Sequence, residues 1–309
     1  MRSRPQALAL AAAVLAALPW SAGCTRQAQA QKQPLPPLQY LGAWGVRGND
    51  PGQLNLPASI ATDSQGHVYI ADSGSQYVDK FGRDGTPMLA FQDDRLKHPQ
   101  SIAVDRGGAI YVSDPVRGSV FVFFPDGDRY REIRLKTRGN AENALDVAVA
   151  DDGSMSVLDV NAAKVFDFTP GFRLARTWQP TASSAGGGRA RSIVAGQADV
   201  LYIAGNLSNA VQRYMQGKLA GEIGASALAT GERVGEQFAV LNNYIFVIGA
   251  DGRQLHVWTA DGSPKVVVDL TPELGTVSRL APPIAVSPLG ELFLVDAPQA
   301  RVLRYRINL

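Results

Sequence analysis

Cysteine occurs once in the 309 residues, histidine three times and methionine four times. A single thiol excludes any disulfide within the chain, and with it the small stapled scaffolds that depend on several. Three histidines leave little from which to build a metal centre, because such a site needs several ligands converging from equivalent positions. An excess of charge of either sign is also absent. The 30 Lys and Arg face 28 Asp and Glu, and without Arg2 and Arg4 the balance is 28 to 28. Phosphate attraction needs a concentrated basic face, so a chain this evenly charged argues against nucleic-acid binding. Beyond the first 20 residues, no apolar run approaches the roughly 20 residues that a membrane-spanning helix requires.

The one long apolar stretch stands at the start. Arg2 and Arg4 precede Ala7–Leu18, and Ser21-Ala22-Gly23 places small residues before Cys24. A basic start, a short apolar run and a small-residue site have the layout of a secretory signal, not of a spanning helix. Cys24 fits a lipobox, in which the thiol is lipidated and the chain is cut just before it. Ser21 stands where such motifs usually have Leu, which leaves cleavage by the ordinary signal peptidase as an alternative. The expected division is a lipoprotein signal peptide over 1–23, a flexible tether over 24–37 and a folded body over 38–309. The tether is rich in Gln, Ala and Pro with no apolar periodicity, and extended it reaches on the order of 40 Å. Thr25, not Asp, follows the cysteine. By resemblance to lipoproteins of Gram-negative bacteria, that implies a lipid-anchored place in the bacterial cell envelope, at the outer membrane.

The body is built on a phrase that returns six times. Its first copy reads Leu56-Pro57-Ala58-Ser59-Ile60-Ala61-Thr62-Asp63, then Val68-Tyr69-Ile70-Ala71-Asp72-Ser73-Gly74, then Val78-Asp79-Lys80-Phe81 and Asp84-Gly85. The second runs His98-Pro99-Gln100-Ser101-Ile102-Ala103-Val104-Asp105, Ile110-Tyr111-Val112-Ser113-Asp114, Val120-Phe121-Val122-Phe123 and Asp126-Gly127. The anchor positions are Ile60, Ile102, Val147, Ile193, Phe238 and Ile284, at intervals of 42 to 46 residues. Short alternating apolar runs separated by Gly and Asp turns read as antiparallel strands. A fixed period of this length reads as stacked four-stranded sheets arranged in a propeller. The sixth copy supplies only three strands before Leu309. Gln39–Trp44 has the character of the missing fourth, so it is expected to pair with the last three and close the ring.

The stretch from Gly45 to Pro57, with Ile60-Ala61-Thr62-Asp63, Val68–Gly74 and Lys80-Phe81, resembles an NHL repeat. The likeness extends over about residues 38 to 309 and fades in copies three to five, where Asp72 gives way to Asp159, Gly205 and Gly249. It implies an all-β, six-bladed β-propeller. Activity is not implied, because the family spans lyases, RNA binders and scaffolds.

Candidate chemistry is sparse. Around the mouth of the innermost strands the acidic residues are Asp146 and Glu236, with Arg191 able to pair with either and Gln237 beside them. These four form the candidate ligand site, and no metal or other cofactor is expected. His67, His98 and His256 fall at different points of the repeat and so at different radii. Asp72, Asp114, Asp159 and Asp296 end second strands and are expected to shape turns, as are Asp63, Asp105 and Asp151. No paired acid and base, Ser-His-Asp order or phosphate loop is present. Loops following the second and fourth strands emerge on one face, where Arg95, His98, Arg117, Arg138 and Arg189 form a candidate partner surface. The expected function is a monomeric, lipid-anchored, extracytoplasmic propeller that binds or scaffolds another envelope protein, with no chemistry of its own. The alternatives are a lyase- or lactonase-like enzyme with an atypical channel site, or a small-ligand sensor.

Overall fold

A computed structural model describes residues 37–135, 144–181, 188–206, 209–224, 233–274 and 281–309. Among them are six four-stranded antiparallel sheets. Blade one comprises Pro57–Thr62, Val68–Asp72, Val78–Phe81 and Pro87–Phe91, from the centre outwards. Blade two is Ile102–Val104, Ile110–Asp114, Ser119–Phe123 and Arg129–Arg134, and blade three is Leu145–Val149, Met155–Asp159, Lys164–Phe168 and Leu174–Trp178. Blade four is Ala190–Ala195, Val200–Gly205, Val211–Met215 and Lys218–Ile223. Blade five is Val234–Leu241, Tyr244–Gly249, Gln254–Thr259 and Pro264–Asp269. Blade six takes Ile284–Ser287, Glu291–Asp296 and Arg301–Ile307 from the end of the chain, with Leu38–Trp44 as its outermost strand.

The innermost strand of every blade touches those of both neighbours, including blade six against blade one, so the chain is a closed six-bladed β-propeller. Closure rests on the antiparallel pairing that runs from Leu38 opposite Ile307 to Trp44 opposite Val302. That pairing covers the edge that Arg301–Ile307 would otherwise offer to other chains.

Burial follows radius. Second strands are buried along their length in blades one, two, three and six, while outer strands such as Leu174–Trp178 are largely exposed. The outer strands therefore alternate weakly in sequence, and the second strands read as nearly unbroken apolar runs. Each interface between blades holds its own apolar cluster, for example Tyr69, Val112 and Phe121 between blades one and two. Burial of such side chains contributes roughly 1.5–3 kcal/mol apiece.

One device recurs in all six blades. The pairing of third with fourth strand shifts register at Phe81, Phe123, Phe168, Tyr214, Trp258 and Tyr305, always an aromatic residue. A bulge increases the local twist, and here it turns the ring toward the previous blade. Phe81 meets Trp44 at 4.8 Å, Phe123 meets Phe91 at 4.9 Å and Tyr214 meets Trp178 at 4.8 Å between ring centres. At the interface of blades four and five, Trp258 is the larger partner and Gly224 the smaller, where any Cβ would collide with the indole. Tilted aromatic pairs of this kind add about 0.5–1.5 kcal/mol beyond area alone.

The segment leading into blade one is held by two carboxylates. Asp72 accepts the backbone N–H groups of Asn55, Leu56, Gly74 and Ser75, and Asp79 Oδ1 accepts that of Gly52 at 3.0 Å. Asp79 is fully buried, at a position that holds Phe121, Phe166, Gln212, His256 or Leu303 in the other blades. Its Oδ2 has no hydrogen-bond partner. Burial pushes this carboxyl from 3.8 up to about 7; the Gly52 bond opposes the rise and the Asp72 charge adds to it. A raised value means that the folded state holds the proton more tightly than the unfolded chain. The contribution is complete below about pH 4 and is lost as pH rises to about 7. Urea unfolding of wild type should therefore lose stability relative to Asp79→Asn across that window. A wild-type to variant difference that is independent of pH would refute the assignment.

Candidate functional site

The innermost strands surround a central channel of about 680 Å³. Each such strand pairs on one side only, so the amides along its other edge face the channel and need acceptors. In blades one to three the residue before the anchor supplies one across the blade boundary. Ser59 Oγ accepts the N–H of Ile102 at 3.3 Å, Ser101 Oγ that of Val147 at 3.2 Å, and Asp146 Oδ2 that of Ile193 at 2.8 Å. Gln100 Oε1 adds a further link to the N–H of Leu145 at 2.8 Å.

Asp146 is the hub of this girdle. Its Oδ1 accepts the Ser101 hydroxyl and the Val147 N–H, so one side chain joins blades two, three and four. Burial raises its carboxyl above the ordinary value, while the bonds from Ser101, Ile193, Ser192 and Val147 hold the charged form. A carboxylate with both oxygens engaged in this way is a staple and not a free acid. Its role is hydrogen bonding between blades, whereas the sequence suggested a ligand contact or a salt bridge.

Arg191 and Glu236 reach the mouth by a different route. Ladder pairing skips from Ala190 to Ser192 in blade four and from Val234 to Phe238 in blade five, so both residues lie in bulges that re-aim their side chains. Ala58 occupies the corresponding bulge of blade one. Arg191 Nε and Glu236 Oε1 stand 3.4 Å apart, both well exposed. Gln237, half-buried, lies between Glu236 and the anchor Phe238. Arg191 thus pairs with Glu236 and not with Asp146.

No group of three or more His, Cys, Asp or Glu side chains that could hold a metal occurs among the described residues. The histidines are dispersed: His67 Nδ1 lies 2.8 Å from Asp63, the His98 backbone N–H bonds Asp114, and His256 stacks on Trp258 in blade five. None of them lines the channel. The aspartates that end second strands shape turns, with one variation. Asp114 and Asp159 accept loop N–H groups as Asp72 does, whereas Asp296 takes the Arg301 guanidinium at 2.8 Å. In the first hairpins Asp63 and Asp105 do the same work. In blade three the turn carboxylate is Asp152, and Asp151 instead pairs with Arg106 at 2.6 Å. Asp152 is nearer the turn amide of Ser154, so the sequence expectation was off by one residue.

On the face formed by loops after second and fourth strands, Asp114 draws a basic group together. Its oxygens accept the backbone N–H groups of Lys97, His98 and Arg117, which brings three basic residues into loops held by one carboxylate. Among the described residues no acid lies within ion-pair distance of Lys97 or Arg117, while Arg95 meets Glu132 only at 3.9 Å. Leu56 is 58% exposed and Val116 41% exposed on the same face. Their exposure was not foreseen, although Asp114-Pro115-Val116-Arg117 places an apolar residue in a turn where burial was unavailable. Arg189 is exposed at the entry to blade four. Arg138 and Cys24 lie outside the described residues.

The girdle makes Asp146 a stability residue. Asp146→Ala should lower the unfolding free energy by about 2–4 kcal/mol, because it strands the Ile193 amide and leaves the Ser101 hydroxyl without its acceptor. Arg191→Ala should change it by less than about 0.5 kcal/mol. Denaturant unfolding distinguishes the two, and equal effects would contradict the assignment.

No family model matches the chain. Over 46 residues, 15% of its length, the chain is 41% identical to E3 ubiquitin-protein ligase TRIM32 of Homo sapiens, of which that match covers 7%. Among solved structures it is similar to a streptogramin B lyase, at TM-score 0.63 and 14% identity over 88% of this chain and 98% of that one. It is also similar to a catalytically inactive histidine-to-alanine variant of Staphylococcus aureus virginiamycin B lyase with quinupristin, at TM-score 0.59 and 15% identity over 88% and 89%. The β-propeller domain of Myceliophteria thermophila Cps50 (Swd1) gives TM-score 0.59 and 10% identity over 86% and 100%. At these identities the likeness is one of fold.

Proposed function

We propose that this chain is a protein-binding propeller of the NHL type, held at a bacterial envelope membrane through lipidated Cys24 and working as a scaffold for another envelope protein. The observation that carries the reading is a contrast between two surfaces. In the channel, Asp146 is spent on blade-to-blade bonds and Arg191 is paired with Glu236. On the loop face, Lys97 and Arg117 meet no acid among the described residues, and Leu56 and Val116 are exposed on the same face. A rigid ring with loops held by carboxylate caps presents such a patch without an ordering cost at binding. Arg95, His98 and Arg189 extend it, and in this reading Arg138 does so as well.

The channel supports a second reading. Arg191 and Glu236 offer opposite charges at the mouth of a channel of about 680 Å³, which suits a small polar ligand or a lyase- or lactonase-like substrate.

One experiment separates them. The full chain, tagged at its C-terminus, is recovered from detergent-solubilised membranes of its own host, and co-purifying protein is quantified. A stoichiometric partner should appear with wild type, fall at least about tenfold with Lys97→Glu/Arg117→Glu, and stay with Arg191→Ala. Cys24→Ala should move the protein to the soluble fraction. Recovery of the protein alone sinks the scaffold reading, and loss of the partner only on Arg191→Ala moves the site to the channel.

A further inference from the structure

The face opposite the loop patch carries a second feature, at the seam where blade six meets blade one. Hairpin residues Gln65, Gly66 and His67, the turn Gly82-Arg83-Asp84, Met88 and Arg304 wall a cleft of about 390 Å³ there. Comparison with blade three shows what is unusual about it. In blade three Val165 pairs with Trp178, and Asp167, two residues on, accepts the Trp178 Nε1–H at 2.8 Å, the Ser156 hydroxyl at 2.7 Å and the Arg176 Nε–H. In blade six Val302 pairs with Trp44 in the same register, and the residue two further on is Arg304. An acceptor has been replaced by a donor. Trp44 Nε1 and Arg304 Nε are both buried without a hydrogen-bond partner.

Further donors face the same space. Arg304 Nη2 reaches Glu291 Oε1 at 2.5 Å, and Arg83 Nη1 lies 4.0 Å from that same oxygen with more than half of its side chain exposed. Two guanidinium groups therefore share one carboxylate oxygen. The other Glu291 oxygen is buried and unpartnered, and Asp84 Oδ1 is engaged by the Thr86 N–H. His67 is oriented by Asp63 through Nδ1 at 2.8 Å, and Asp63 also receives the Tyr69 hydroxyl at 3.0 Å and has Lys80 3.8 Å away. With Nδ1 donating to Asp63, Nε2 of the neutral ring carries a lone pair, so His67 shapes the cleft wall and supplies no donor to an anion. Trp44 lies behind that wall, its ring packed against Gly85 of the turn that carries Arg83 and Asp84.

We propose that this cleft binds a small oxyanion, a phosphate or carboxylate group, through Arg83 and Arg304. Planar guanidinium forks match such anions bidentately, and charge-assisted bonds of this kind are the stronger ones. Trp44 lies behind the cleft wall, against Gly85, so its indole reports an anion held by the two guanidinium groups in front of it. The site lies on the face opposite the loop patch, so it is independent of the scaffold reading.

The test uses the indole N–H signals of the ¹⁵N-labelled full chain, titrated at constant ionic strength with inorganic phosphate, with acetate and with chloride. The Trp44 signal should move saturably with phosphate or acetate, while that of Trp178, already bonded to Asp167, stays fixed as an internal control. The tighter of the two anions identifies the head group. Arg83→Ala, an exposed position whose loss does not threaten folding, should weaken binding about tenfold, the worth of one charge-assisted contact. Equal responses to all three salts, no saturable shift of Trp44, or unchanged binding in Arg83→Ala would each overturn the proposal.

Discussion

Every blade of this ring turns one edge of its innermost strand toward the channel, and the amides on that edge must find acceptors away from water's full reach. The rest of the structure depends on how that requirement is met. A sheet that satisfied these amides with solvent alone would leave its neighbours free to slide. Here Ser59, Ser101 and Asp146 carry an oxygen across three successive boundaries to the anchor amide of the next blade. Apolar clusters and the recurrent aromatic pairs fill the wider parts of each interface, but they are tolerant of small shifts. Hydrogen bonds between specific atoms are not. The girdle therefore fixes the rotational register of blades one to four, and the outer strand Leu38–Trp44 fixes the seam.

This constraint has a functional consequence. A propeller channel is a natural place for chemistry, yet the polar groups closest to its wall are largely committed to architecture. Asp146 bonds across three blades and cannot leave without releasing the Ile193 amide and the Ser101 hydroxyl. What stays available lies at the two faces. On one face, Asp114 holds the backbone of Lys97, His98 and Arg117, and Leu56 and Val116 are exposed on that face. On the other, the replacement of an acceptor by Arg304 leaves donors unmet at the seam between the last and first blades. Both features arise where copies of the repeat differ, which is where a repeated scaffold acquires individuality.

The sequence made the ring legible because its signals are periodic. Anchor spacing, alternating strands and the fourth-strand character of Gln39–Trp44 together specify six blades and their closure. The turn aspartates were equally readable, since an Asp before a Gly has a local reason to accept backbone amides. Asp151 and Asp152 show the limit, because adjacent carboxylates differ only by which one the turn geometry brings near Ser154. The partnership of Arg191 with Glu236 lay beyond the sequence, since it depends on bulges that local pattern does not reveal. Asp146 was visible as an acid at a mouth position, but its bonding to Ser101 and Ile193 joins residues more than 40 positions apart. Trp44 and Arg304 are further apart still, and their relation becomes clear only when blade three is laid beside blade six.

The central claim is that side-chain oxygens hold the channel-edge amides across blade boundaries. Amide hydrogen exchange at Ile102, Val147 and Ile193 tests it most directly, because strand-edge amides open to an aqueous channel exchange quickly unless they are bonded. The account predicts that these three exchange as slowly as the amides of the buried second strands, with opening free energies close to that of global unfolding. Exchange at the rate of freely solvated edge amides would contradict it.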